Sequence, residues 1–220
     1  MYTVIIPSAG KGRRTKLDIN KLLFQIDGLH LIEYTLEPFL YDKEVTEIIL
    51  IVAEDELELF RLFSSNKIKL IVGGVTRQDS VHQGLLAATN DIVFIHDGAR
   101  PLVSAKIIQD CKSVMRQAQA CVVAIEAVDT IKHYEQGRWH TIDRKDKYLM
   151  QTPQCGHKDV LLRAFAQANK DKFIGTDDME VLAKYSDTPI EFVRGSHQNI
   201  KITYPEDFDL FRRLKGQPKS

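Results

Sequence analysis

Short, continuous runs of apolar, mostly β-branched residues recur along this chain, each followed by a stretch with helical spacing. That alternation restricts the available folds more than any other feature. Thr3-Val4-Ile5-Ile6, Ile48 to Val52, Ile68 to Val72, Ile92 to Ile95 and Cys121 to Ile125 are apolar at consecutive positions rather than at every second one. Strands of this kind are buried on both faces, as in parallel sheets covered by helices. Apolar residues three and four apart predict helices over Leu31 to Leu40, Glu54 to Phe63, Asp79 to Ala88 and Ser104 to Gln117, with Ser104 able to cap the last. The order βαβαβαβαβ predicts a three-layer α/β domain around a mostly parallel central sheet.

After Ile125 the pattern changes. The segment 129–149 is polar, carries Lys132, Arg138, Arg144, Lys145 and Lys147, and has strand-like pieces around Gly137, which predicts a hairpin arm. An isolated hairpin with little apolar surface is marginal, so the arm is expected to pack against something, a second subunit being one candidate. Helical spacing resumes at Lys158 to Asn169 and Asp177 to Tyr185. Strands are expected at Ile190 to Val193 and Ile200 to Thr203, then a helix from near Pro205 and a frayed tail from Gly216. The 220 residues suit one domain bearing this arm.

Thirty Lys and Arg balance thirty Asp and Glu, which argues against a general nucleic-acid binder or a membrane-surface binder. No apolar run approaches the roughly 20 residues needed to span a bilayer, and Met1 leads directly into a strand with no signal-like region. Cys111, Cys121 and Cys155 form no CxxC pair and have no His at zinc-like spacing, so they read as reduced packing residues of a cytoplasmic protein.

Chemistry concentrates where strands end. The first strand runs into Pro7-Ser8-Ala9-Gly10-Lys11-Gly12-Arg13-Arg14, with Lys21 seven residues beyond Arg14. Small residues there leave backbone N–H groups free to approach phosphate, and the cations neutralise it. The ATP-type spacing G-x-x-x-x-G-K-[ST] is absent, and G-x-G-x-x-G fails because Thr15 stands at the third glycine. Four further clusters follow: Gly73-Gly74-Val75-Thr76-Arg77-Gln78-Asp79-Ser80-Val81, His96-Asp97-Gly98-Ala99-Arg100-Pro101, Asp129 to Lys132, and Asn199 to Thr203. In an open α/β sheet such loops share one rim and converge on one cleft. Taken singly, Asp97 is equally consistent with a turn cap, Ser80 with an ordinary helix residue and Lys201 with an exposed strand lysine.

Taken together, with Asp143-Arg144, Gln151-Thr152-Pro153-Gln154, Gly175-Thr176-Asp177-Asp178 and N-I-K-I-T-Y-P-E-D at 199–207, the chain resembles the 2-C-methyl-D-erythritol 4-phosphate cytidylyltransferase family over about residues 3–210. It departs from that pattern at Ser8, often alanine, and at Asn20, often proline. The resemblance implies a Rossmann-like nucleotidyltransferase fold and transfer of CMP from CTP to a polyol phosphate, with release of pyrophosphate. It implies that Arg14 and Lys21 stabilise charge on the triphosphate, and that Arg144 and Lys201 position the attacking phosphate. Ser80, Gly73, Gly74 and the backbone of Pro7, Ser8, Ala9, Gly10 and Gly12 would hold cytosine and ribose. Asp97, Gly98 and Arg100 would occupy the centre of the cleft, while Thr130 and Thr152 would contact the polyol phosphate. Mg²⁺ would bind mainly through the CTP phosphates, and its protein ligands are unassigned. His96 reads as a packed residue, because an ionised phosphate nucleophile needs no base. A homodimer that exchanges its arms is also implied. A ribitol 5-phosphate cytidylyltransferase and a non-catalytic nucleotide-binding regulator remain open alternatives.

Overall fold

The computed structural model describes residues 1–10 and 19–216. Among these a seven-stranded sheet runs in the order β11-β7-β10-β6-β1-β4-β5. Its strands are β1 (Tyr2–Pro7), β4 (Val45–Val52), β5 (Ile68–Val72), β6 (Ile92–Ile95), β7 (Ala120–Glu126), β10 (Tyr148–His157) and β11 (Glu191–Arg194). Two short ribbons stand apart from it, β2 (Gln25–Ile26) with β3 (Leu29–His30), and β8 (Ile131–Glu135) with β9 (Arg138–Ile142). Neighbours in the main sheet are parallel except at β10, which is antiparallel to both β6 and β7.

The continuous apolar runs are explained by burial on both faces. On one face Val4, Ile6, Ile48, Leu50, Phe94 and Val123 pack beneath helices α1 (Leu31–Tyr41), α4 (Ala105–Met115) and α7 (Glu206–Leu214). On the other face Ile5, Ile49, Ile51, Val93 and Ile95 meet α3 (Arg77–Ala87), α5 (Lys158–Lys170) and α6 (Asp178–Tyr185). Ser104 caps α4 as expected, its hydroxyl accepting from the Ile107 N–H at 3.3 Å.

Three expectations are revised. The helix expected over Glu54 to Phe63 is one turn of α-helix, α2 (Leu57–Phe60), between two 3₁₀ turns. Ile200 to Thr203 is not a strand: the Ile202 N–H bonds to the Ala99 carbonyl at 2.8 Å and its side chain is buried, so the segment is tied to the core without a ladder. The third revision is β10, which has no counterpart among the predicted strands. Pro153, Gly156 and buried Gln151, Thr152 and Gln154 break its apolar pattern, yet Tyr148–Met150 pairs with β7 and Gln154–Gly156 pairs with both β6 and β7.

Candidate active site

Because β1, β4, β5 and β6 run parallel, the loops leaving Pro7, Val72 and Ile95 emerge on the same edge of the sheet. They enclose a cleft of about 320 Å³, lined by Pro7 to Gly10, by Gly74 to Arg77 with Ser80, and by Asp97 to Ala99; Lys21, Leu22, Lys201 and Thr203 complete it. It lies where chain order reverses across the sheet, with β1 flanked by β4 on one side and β6 on the other.

Lys21 is held by its neighbours. Asn20 caps a 3₁₀ turn at Lys21–Leu23 by accepting the Leu22 N–H at 3.0 Å. Its amide also donates to the Ser8 carbonyl at 3.0 Å and to Glu56 at 2.8 Å. The Lys21 ammonium donates to the Ile202 carbonyl at 2.7 Å, which joins the first loop to the segment carrying Lys201. Asn20, one of the two positions at which the chain departs from the family pattern, thus fixes the turn that carries Lys21.

The second wall begins at Gly73, whose N–H donates to the Val52 carbonyl at 2.9 Å. A Cβ on Gly74 would run into Asp79, so only glycine lets the turn close onto α3. Thr76 and Asp79 cap that helix reciprocally: the Asp79 N–H donates to Thr76 Oγ1 at 3.0 Å, and the Thr76 N–H donates to Asp79 Oδ2 at 2.9 Å. Ser80 Oγ accepts the Gly74 N–H at 3.2 Å and donates to the Thr76 carbonyl at 3.0 Å, so its hydroxyl braces the turn as well as facing the cleft.

At the centre three cations surround Asp97. Lys201 Nζ lies 2.9 Å from Asp97 Oδ2, Arg100 Nε 3.4 Å from the same oxygen and Arg77 Nη2 3.4 Å from Oδ1. Burial pushes the Asp97 carboxyl up, but Arg77, Lys201 and Arg100 outweigh it and hold the group well below the usual carboxylate range. Arg77 also grips Asp178 at the start of α6 with two bonds of 2.8 Å. Burial drives the Asp178 carboxyl upward, and Arg77 opposes it. A Cβ on Gly98 would come within 2.9 Å of Leu22, so the loop after Asp97 packs on Lys21's neighbour only with glycine there.

The predicted residues separate into groups. Pro7, Ser8, Ala9, Gly10, Lys21, Gly74, Ser80, Asp97, Gly98 and Lys201 line the cleft, and Gly73 supports it from behind. Arg100 stays beside Asp97 but does not itself line the cleft: its buried guanidinium donates to the carbonyls of Asn199 at 2.7 Å and Met150 at 3.3 Å. Thr152 is likewise buried without lining the cleft, its Oγ1 accepting the Asp97 N–H and meeting His96 Nδ1, both at 3.0 Å. Thr130 and Arg144 are exposed on the arm and do not line this chain's cleft; Arg144 donates to the Val128 carbonyl. Gly12 and Arg14 lie outside the described residues. Arg77 and Thr203 line the cleft without having been singled out. Arg77 stood inside the Gly73 to Val81 motif, and the available signal was a cation opening a helix beside an acid-rich cluster at 177–178.

A mostly parallel sheet with a cation-rimmed cleft at its carboxyl edge, bordered by small residues, is the arrangement of a nucleotidyltransferase. The model of the family described as 2-C-methyl-D-erythritol 4-phosphate cytidylyltransferase matches residues 2–213, and the chain belongs to that family. The protein of that name from Clostridioides difficile is 37% identical, with 100% of this chain and 95% of the relative covered. The one from Aquifex aeolicus is 38% identical with 98% of each covered. Among solved structures, the 4-diphosphocytidyl-2C-methyl-D-erythritol synthase of Anaerococcus prevotii superposes with a TM-score of 0.88 at 27% identity over 99% of both chains. The Francisella tularensis 2-C-methyl-D-erythritol 4-phosphate cytidylyltransferase gives 0.84 at 30% identity over 97% of this chain and 99% of the other.

Proposed function

We propose that the chain joins the 4-phosphate of 2-C-methyl-D-erythritol to the α-phosphorus of CTP in isoprenoid precursor biosynthesis. An oxygen of the ionised acceptor phosphate forms the new bond to the α-phosphorus, the bond to the bridging oxygen of the β-phosphate breaks, and pyrophosphate leaves with the electron pair. What carries this reading is the convergence of Lys21, Arg77 and Lys201 on one cleft whose walls are backbone and small side chains. Two anions about 4 Å apart repel by roughly 4 kcal/mol per pair of unit charges at an effective dielectric of about 20, so a site that brings two phosphates together needs such cations. Lys21 and Arg14 stabilise the triphosphate as negative charge builds on the α-phosphate, while Lys201 orients the attacking group. The backbone of Pro7 to Gly10 and Gly74 to Thr76 forms a slot for a pyrimidine.

Asp97 is the acid among the described residues lining the cleft, and its Oδ1 keeps acceptor capacity beyond the 3.4 Å contact with Arg77. One carboxylate plus substrate phosphates and water is a donor set suited to Mg²⁺. Asp97 would hold the ion, which when bound neutralises triphosphate charge.

Assembly is part of the proposal. Thr130 and Arg144 serve the partner's cleft in a homodimer, reached by the β8–β9 arm. Supporting this, the arm exposes Tyr134 and Trp139 in a tilted ring contact, with centroids 4.7 Å apart, and its base exposes Val128, Leu149, Met150 and Phe192. No helix among the described residues is long and apolar enough to cross a membrane. We place the enzyme in the cytoplasm, where the three buried free thiols stay reduced.

The test is pyrophosphate release with Mg²⁺, comparing CTP, UTP, ATP and GTP against methylerythritol 4-phosphate and ribitol 5-phosphate. CTP with methylerythritol 4-phosphate is expected to lead every other pairing. Equal rates with ATP and CTP would remove the pyrimidine slot, and a preference for ribitol 5-phosphate would overturn the acceptor.

A further inference from the structure

Away from the cleft, the structure gathers Cys111, Cys121 and Cys155 into one group of metal-binding side chains. Cys121 on β7 and Cys155 on β10 are directly opposed across adjacent antiparallel strands, which sets their Cβ atoms side by side. Cys111 is on α4, and all three share one core cluster with Tyr2, Phe94, Ile107 and Ile108. The three Sγ atoms lie within 4.8 Å of one another, and each cysteine is a free thiol buried from solvent.

We propose that these three thiols form a binding site for a soft monovalent metal ion, Cu(I). A metal about 2.3 Å from each of three trigonal sulfurs spaces them about 4 Å apart, within reach of the separations here. Coordination number separates the candidates. Structural zinc takes four ligands, and this group offers three, with no fourth His, Cys, Asp or Glu joining it among the described residues. Softness points the same way, because thiolate and thioether donors select Cu(I) over harder divalent ions.

Cysteine ligates as thiolate, so binding releases thiol protons to solvent and changes no oxidation state. Access to so enclosed a site requires opening of the α4 packing or loading during folding.

The test is anaerobic titration of the reduced full chain with the Cu(I)–bicinchoninate complex, on native protein and on protein refolded from urea in the same mixture. About one equivalent is expected to transfer per chain in at least the refolded sample, with a thiolate-to-copper charge-transfer band in the ultraviolet. Cys121→Ala and Cys111→Ala, each checked for folding by circular dichroism, are expected to lower affinity at least about tenfold. Cys155→Ala replaces either variant that fails to fold. Zn²⁺ in excess should leave the copper in place. No transfer to either sample, transfer undiminished in the folded variants, or displacement by Zn²⁺ would each overturn the assignment.

Discussion

His96 and Asp97 are neighbours in sequence with opposite surroundings. Asp97 meets three cations, whereas His96 is buried at the end of β6, with Nε2 donating to the Arg100 carbonyl at 3.1 Å and Nδ1 accepting from Thr152. Burial holds the His96 pKa down at about 4, so the folded protein keeps the ring neutral. Unfolding restores an ordinary value of about 6.5, so the native state is favoured fully above pH 6.5 and loses this contribution as pH falls towards 4. Between pH 7.5 and 5 the loss from this one group is about 2 kcal/mol. Urea denaturation across that range should show the decline in wild type and a shallower one in His96→Gln; equal slopes would remove His96 as the cause. Lys21 illustrates the opposite balance, since its loss removes the partly buried hydrogen bond to the Ile202 carbonyl but also a charge lining the cleft proposed for the phosphates. Lys21→Ala should lower kcat/KM roughly 10²–10³-fold while costing only about 1 kcal/mol of stability. Turnover near the wild-type value would place the triphosphate elsewhere. Lys21 and Lys201 were legible as cations in strand-end loops, but the roles of Arg100 and Thr152 as buried supports beside Asp97 were not. A motif records that a residue is present without recording which way its side chain points.

Elements position the chemistry through their ends. Helix α3 begins one residue after Thr76, so the reciprocal Thr76–Asp79 cap fixes the first turn and aims Arg77 between Asp97 and Asp178. Thr76→Ala removes the side-chain acceptor for the Asp79 N–H, and cap losses of this kind cost about 1 kcal/mol. For a chain of this size that corresponds to a Tm drop of about 2–4 °C. Because the frayed turn carries Arg77, kcat/KM should fall as well. Thr76→Ser, which keeps the hydroxyl, should restore both; activity unaffected by Thr76→Ala would mean that Arg77 needs no cap to hold its place. The parallel strands were legible because burial on both faces writes itself as an apolar run. Strand β10 was not, since its buried Gln151 and Gln154 are satisfied by distant partners, Ser196 and Asn199 for one and the α6 N-terminus for the other.

On the scale of the whole molecule, the cleft in one chain lacks the two arm residues matched to substrate positioning, and among the described residues the arm's strands β8 and β9 pair with each other and not with the main sheet. Inactive Lys21→Ala and inactive Arg144→Ala subunits, mixed under conditions that permit exchange, should recover activity: half of the randomly formed dimers are mixed, each with one intact site of two, giving about a quarter of wild type in a closed twofold assembly. No recovery despite demonstrated mixed dimers would return Arg144 to its own cleft or remove it from catalysis. The alternation of apolar runs and helical spacing determined, from sequence alone, the layered architecture and the edge at which the loops gather, because burial on two faces and carboxyl-end loops are local consequences of residue order. Tertiary structure alone decided that Arg77 joins Asp97 and Asp178, that Arg100 and Thr152 are buried beside Asp97 without lining the cleft, and that three widely separated cysteines meet in one core. Those outcomes depend on contacts between segments distant in the chain, and their geometry is set by packing rather than by any local pattern of residues.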